Sequence, residues 1–531
     1  MSTNFNIDIH CHPSGKPFMS GRAQQQHTVF ETYSNEIQAW LLSRLNKQIE
    51  NLANIRLATQ SNFDNLSKGN VQVVIASITP LERAFLVVNQ KAGSFLNDTI
   101  KDLVTEKTTP WEDTVKSKVV NALTGFYVDD VDFIKKSILH YFREGFLPEY
   151  NYLTGFHDTE SPAGGYKIKF VKNYQEIEDT INADSKTICV ILSIEGAHAL
   201  AREVPNLNDL RRLQGISHKN DPADFTLLVD YVNNIEKLKK QEFVPLFVTL
   251  LHHFWNGLGG HARSLMKLIG TFVSQDEGLN EGLKEIGKEV INYLLRTDNG
   301  PRILIDVKHM SPQCRKDFYA FIKLKYWSKN DRFPVICSHT GIVSKSRTLD
   351  ELMAQDDNAE LHDKANYLHE NSINLCEEDV LVIAQTHGLI GIQLDEKRIA
   401  GNCIIDVIKD DELLSSADLR MQYVKVLCAN LFEVVKTVNS KKGWDILSIG
   451  SDYDGLINHL DFYPTTAEMP TLRNDMLQFL KNPTEISQPG FNYSISLAEI
   501  NRLMFGLDAE DITDKIFADN VMKFLKNNFN R

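Results

Sequence analysis

A closed (β/α)8 barrel of the TIM type, with long helical insertions and a C-terminal helical segment, is the fold this sequence predicts. Two observations carry that reading. Eight short apolar runs alternate with segments of helical period, the pattern of a parallel sheet buried on both faces. Most of those runs also end on a histidine or a carboxylate, and in a barrel the C-terminal strand ends converge on one rim.

The runs are, in order, "NFNIDIH", "VQVVIASIT", "TICVILSIEG", "VPLFVTLLHH", "RILIDVKH", "FPVICSH", "GLIGIQL" and "DILSIGSDYDG". Helical period is expected over 34–54, 131–144, 226–240, 279–296, 313–325, 377–387 and 416–438. Segment 81–186 is too long for one crossover and is expected to hold a third strand and extra helices. Segment 340–376 is polar and long, as an active-site or surface loop would be. Residues 495–531 should be helical and fold back on the barrel. No linker divides the chain, so residues 1–531 are expected to form one domain. A doubly wound open sheet is the alternative, but no Gly-rich turn follows the first strand.

Composition sets limits on function. The chain has 531 residues, 42% of them hydrophobic, and its 57 basic and 70 acidic residues give a net charge of −13. An acidic balance without a basic run argues against a nucleic-acid or anionic-membrane surface. No apolar run is long enough for a membrane span, and the first dozen residues carry a motif where a leader would lie. Seven cysteines without CxxC pairing fit a reducing compartment, so a cytoplasmic protein is expected.

The residues that end the strands are His10 and His12, Glu195, His252 or His253, His309, His339 and Asp452. Histidines with a few carboxylates are the donors a borderline divalent ion such as zinc prefers. Glu195 closes the apolar run "CVILSIEG", where a carboxylate is costly unless paired or metal-bound. A carboxylate flanked by two sets of histidines is what two metals can share, and two metals can acidify a water between them. Asp8 is expected to orient the His10 and His12 pair. Asp306 and Lys308 are expected to alternate off the metal face as structural residues. His198 and His261 read as loop or supporting residues, and Cys11 and Cys337 as packing. The chain has no GxSxG, HExxH or Walker loop, and "SDYDG" is not followed by a calcium-loop ladder.

These motifs resemble those of the membrane dipeptidase family of the amidohydrolase superfamily. "IDIHCHPS" looks like its opening Asp-x-His-x-Asp, "SIEGAH" its bridging-glutamate motif, and "VTLLHHFWN" its substrate-histidine motif. "LIDVKHMS", "PVICSHT" and "IGSDYDG" are similar to its later motifs, and "KIFADNVMKFL" to its closing helix. The order matches from residue 7 to about 526, with long insertions between motifs. The resemblance implies a barrel with two divalent ions, zinc by preference. His10, His12 and Glu195 would hold one ion, and Glu195, His309 and His339 the other. It further implies that His252, or His253 if the register slips by one, stabilises the oxyanion, and that Asp452 shuttles a proton. The reaction implied is amide hydrolysis of a dipeptide-like small molecule by a hydroxide bridging the two metals. A homodimer is implied as well.

Two departures stand out. His12 replaces the usual aspartate, leaving the site one charge more positive. The family's carboxylate-gripping arginine has no counterpart in "ENSINLCEEDV", where Ser372 or Ile373 stands, and Arg347 is the expected substitute. Two other readings therefore accompany the dipeptidase-like one: a hydrolase of another amide, a lactone or a phosphoester, and a metal-binding scaffold without catalysis.

Overall fold

In a computed structural model of the protein, residues 4–21, 27–32, 58–82, 84, 140–201, 222–265, 274–355, 366–410 and 415–530 are described. Nine strands form one sheet: β1 (Asn6–Cys11), β2 (Val71–Ile78), β3 (Lys167–Phe170), β4 (Thr187–Glu195), β5 (Phe247–Thr249), β6 (Leu304–Asp306), β7 (Ile336–Thr340), β8 (Leu389–Ile392) and β9 (Leu447–Ile449). Eight of them run in the order β1-β2-β4-β5-β6-β7-β8-β9 with every pair parallel. Each of the eight predicted runs supplies one stave.

The ring closes just beyond β9. Asp452 donates its N–H to the His10 carbonyl at 2.9 Å, and His12 donates its own to the Tyr453 carbonyl at 2.9 Å. Closure thus runs through the peptide groups of the residues that the sequence singles out for chemistry.

The strand expected within 81–186 exists as β3, but it stays off the barrel path. It pairs with the first half of β4, from Lys167 opposite Thr187 to Phe170 opposite Val190. Only the last two residues of β4, Ile194 and Glu195, pair with β5. One edge of β4 therefore serves a side strand first and the barrel second. The helix expected over 34–54, most of that over 131–144, and residues 85–139 of the long insertion lie outside the described residues.

Helices pack outside the staves as the apolar period requires. The helix Ser416–Val438 starts at Ser415, whose hydroxyl accepts from the Asp418 N–H, and stops where Asn439 turns left-handed at φ 48°. Val424, Leu427, Leu431 and Val435, spaced three or four apart, are buried on its barrel side. The C-terminal helices fold back as expected: Asn520 Nδ2 donates to the carbonyls of Trp444 at 2.6 Å and Leu447 at 2.8 Å, tying them to the start of β9. Among the described residues, no helix is long and apolar enough to cross a membrane.

Candidate metal centre at the barrel rim

Glu195 lies at the centre of the site, at the end of β4. Its Oε1 is 3.2 Å from His309 Nε2, 3.4 Å from His339 Nε2 and 3.6 Å from His10 Nε2. Its Oε2 is 3.2 Å from His12 Nε2 and 3.5 Å from His252 Nε2. Asp452 Oδ1 stands 3.5 Å from His12 Nε2 and 3.6 Å from His10 Nε2, and Oδ2 is 3.8 Å from His339 Nε2. The predicted histidines at 10, 12, 252, 309 and 339 therefore meet at two carboxylates, and all are buried.

The local backbone is bent to achieve this. His309 has φ 65° and Asp452 φ 60°, a left-handed conformation that non-glycine residues rarely adopt and that concentrates at functional sites. Gly196 follows Glu195 with φ 88°, and a Cβ there would collide with the His198 ring. Only glycine lets the chain leave β4 between His198 and His252.

The donor chemistry fits divalent ions. His10, Glu195, His339 and Asp452 offer one ligand atom each within 4.8 Å of one another, and so do Glu195, His252 and His309. Both ring nitrogens of His10, Nε2 of His12 and Nδ1 of His309 are buried with no hydrogen-bond partner among the described residues. Orphaned imidazole nitrogens around a buried carboxylate are costly unless a cation takes them up.

Electrostatics point the same way. Burial and the surrounding positive charges hold His253, His309 and His339 well below the usual imidazole range, leaving them neutral with lone pairs available. Burial opposes ionisation of Glu195, but His252 and His10 outweigh it and its pKa falls well below the usual value. Burial would likewise depress His12, yet Asp452 and Glu195 raise it to about 10. The cluster favours positive charge at its centre.

No protein-family profile matches the sequence, and no curated protein matches it. Several solved structures are similar to the chain. One is described as the dipeptidase AC, a metallo peptidase; the match has 12% identity, covers 99% of each chain and gives a TM-score of 0.45. A second is a metallo peptidase from Rhodobacter sphaeroides liganded with a phosphinate mimic of L-Ala-D-Ala. It has 13% identity over 94% of this chain and 99% of that one, with a TM-score of 0.42. A third is an amidohydrolase from Pseudomonas aeruginosa, with 12% identity over 91% and 99%, and a TM-score of 0.40. With identities this low, the chemistry must be read from the residues of this chain.

Several of those residues escape sequence reasoning. Glu82, which follows β2 in "TPLER", accepts from His252 Nδ1 at 2.7 Å and from the Phe254 N–H at 3.1 Å. Burial notwithstanding, the charges of His252 and His198 pull its pKa down; Glu195 and Glu82 in turn raise that of the buried His252. His198 lies in the loop, its Nε2 2.8 Å from the Pro80 carbonyl and its ring stacked toward His252. Gln393, past the end of β8, donates to Asp452 Oδ2 at 2.6 Å. A polar residue at another strand end is the available signal for Gln393; Glu82 offers none. His253 packs on His252 with ring centroids 3.8 Å apart, but its Nδ1 faces Ser264 Oγ at 2.7 Å. His261 bonds to the Ala262 and Glu277 carbonyls, in its loop.

Three expectations need correction. Asp8 does not touch the imidazoles: its Oδ1 accepts the N–H groups of His10 and Ser451, and its Oδ2 the Ser451 hydroxyl, so it fastens β1 to the chain after β9. Arg347 does not reach the site. Its neighbour Thr348 caps the helix Leu349–Met353, its own N–H bonds Glu351, and its side chain is 77% exposed beside Glu377. Lys308 does not turn away. β6 ends at Asp306 and His309 is left-handed, so strand alternation lapses and both Lys308 and His309 line a cavity together with Glu195, Ile373, Arg398 and Asp452.

Proposed function

We propose that this protein is a metal-dependent hydrolase of small amides, acting on dipeptides or close analogues. The observation that carries the reading is the convergence of four strand-end histidines on one buried carboxylate, with a positioned imidazole and a second carboxylate beside them. His10, His12, Asp452 and Glu195 would hold one ion; Glu195, His309 and His339 would hold the other. Two divalent ions, zinc by ligand type, would supply an acidified water at neutral pH and a Lewis acid for the substrate carbonyl.

This chain's own groups supply the rest. Glu82 holds His252 Nδ1 and, with Glu195, raises the pKa of His252; in the doubly protonated ring this favours, Nε2–H can donate to the oxygen on which negative charge develops. Asp452, steered by Gln393 and close to the histidines, can take a proton from the attacking water and return it to the departing amine. Burial of the whole cluster excludes bulk water, which strengthens each of these interactions. A positioned donor and proton carrier are superfluous in a scaffold, which favours the enzymatic reading over a purely structural metal site.

The test is a zinc-replete preparation assayed on L-L and L-D dipeptides beside N-acyl amino acids, lactones and phosphoesters. Dipeptide hydrolysis that a chelator abolishes and zinc restores is the expected result. Turnover of only a lactone or phosphoester would favour the second reading, which Ile373 at the cavity wall in place of an arginine keeps in view. Fewer than one tightly held metal per chain would sink both.

A further inference from the structure

Lys308 has no evident structural purpose. Its side chain is 2% exposed, and its Nζ has no hydrogen-bond partner among the described residues. The carboxylates whose charge reaches it, Asp452 and Glu195, belong to the histidine cluster. An ammonium buried without a partner destabilises a fold, so such a group is retained where a ligand completes it.

Its surroundings indicate which ligand. Lys308 lines the cavity beside the cluster with Arg398, and the two cations are close enough for Arg398 to press on the charge of Lys308. Arg398 is anchored through the Ser264 carbonyl, and Asp395 on the same wall balances part of its charge. Glu195 and Asp452 share this cavity, but bound ions would balance their charge; outside that cluster two cations stand against the one carboxylate of Asp395, which suits a monoanion. Ile373 supplies apolar wall to the same cavity. Arg315, fully buried, donates to the Ser372 and Asn374 carbonyls at 3.1 and 3.2 Å and so anchors the chain on either side of Ile373.

We propose that Lys308 and Arg398 form a receptor for a carboxylate carried by the substrate, so that the amide hydrolysed is one bearing a free carboxylate near the scissile bond. The inference rests on the hydrolase reading for its substrate, though not for its test. A carboxylate seated there would lie in the same cavity as Glu195 and His252, aligning the adjoining amide with the reacting groups. The receptor would do the work that the resemblance assigns to an arginine this chain lacks, from a different strand end.

The experiment is calorimetric binding of N-acetylalanine, N-acetylalaninamide and inorganic phosphate to the full chain, metal-free and zinc-loaded, for wild type and Lys308→Met. Charge-assisted hydrogen bonds of this kind correspond to a preference of about tenfold or more for the acid over the amide. That preference is expected in the wild type, and its collapse in Lys308→Met, whose metal-free melting temperature should not fall, since the change removes a buried unpaired charge. Equal binding of acid and amide by the wild type would overturn the proposal, as would a preference that survives Lys308→Met or tighter binding of phosphate than of the acid. Failure of the zinc-loaded wild type to hydrolyse any amide would end the amide-hydrolase reading while leaving the acid-over-amide comparison intact. The two ideas thus fail separately.

Discussion

Asp8 and His10 on β1 are next-but-one neighbours, as are Asp306 and Lys308 at the end of β6, yet the members of each pair live under opposite rules. The earlier residues are saturated. Asp306 accepts from Thr249 Oγ1 at 2.6 Å, Ser338 Oγ at 2.6 Å, Ser338 N at 3.1 Å and Lys308 N at 3.0 Å, stitching β5, β6 and β7 together. Asp8 does the same between β1 and the segment after β9. The later residues, His10 and Lys308, are equally buried, but their side-chain nitrogens have no hydrogen-bond partner among the described residues. Depth alone does not distinguish a supporting residue from a working one; hydrogen-bond saturation does.

The contrast can be broken most severely at Glu195. Glu195→Gln removes the charge around which the histidines gather, and kcat/KM should fall by about 10³-fold or more, with bound metal falling in parallel; undiminished metal content would refute its central place. Asp306→Ala attacks the supporting layer instead. It strands four buried donors and should cost about 3 kcal/mol or more of stability in chemical denaturation, while folded protein still binds metal. Were that variant to lose metal without losing stability, the division between the two layers would be wrong. Glu82→Gln lies between the extremes: it keeps the shape but frees His252, and activity should drop by about 10- to 100-fold with metal content unchanged. Arg347→Ala sets the lower bound. Its exposed side chain touches neither layer, so kcat/KM for carboxylate-bearing and neutral amides should stay within about twofold, as expected of surface changes.

Much of this architecture is legible in the amino-acid sequence. The eight staves can be read because a parallel strand buried on both faces leaves an apolar run bounded by polar residues, as "TICVILSIEG" does. The histidines at the rim can be read because each closes such a run. What escapes depends on the backbone beyond the strands. Alternation assigns Lys308 to the wrong side, since alternation ends with β6 and the left-handed turn at His309 redirects the chain. Glu82 and Arg398 lie in connecting segments with no period to betray them. A strand between β2 and β4 can be anticipated, but the place of β3 outside the barrel follows from how β4 divides one edge between two partners, a tertiary choice that no local pattern encodes.

The seam between His10, His12 and the stretch at 452–453 has a consequence for how the chain comes to life. Residues separated by some 440 positions must clasp each other's peptide groups before His10 and His12 face Asp452. A nascent polypeptide that has not yet extruded its ninth strand would hold the histidines and Glu195 but lack both the seam and Asp452. Synthesis itself would set the moment at which the cluster forms, because the circle closes only with the last strand in place.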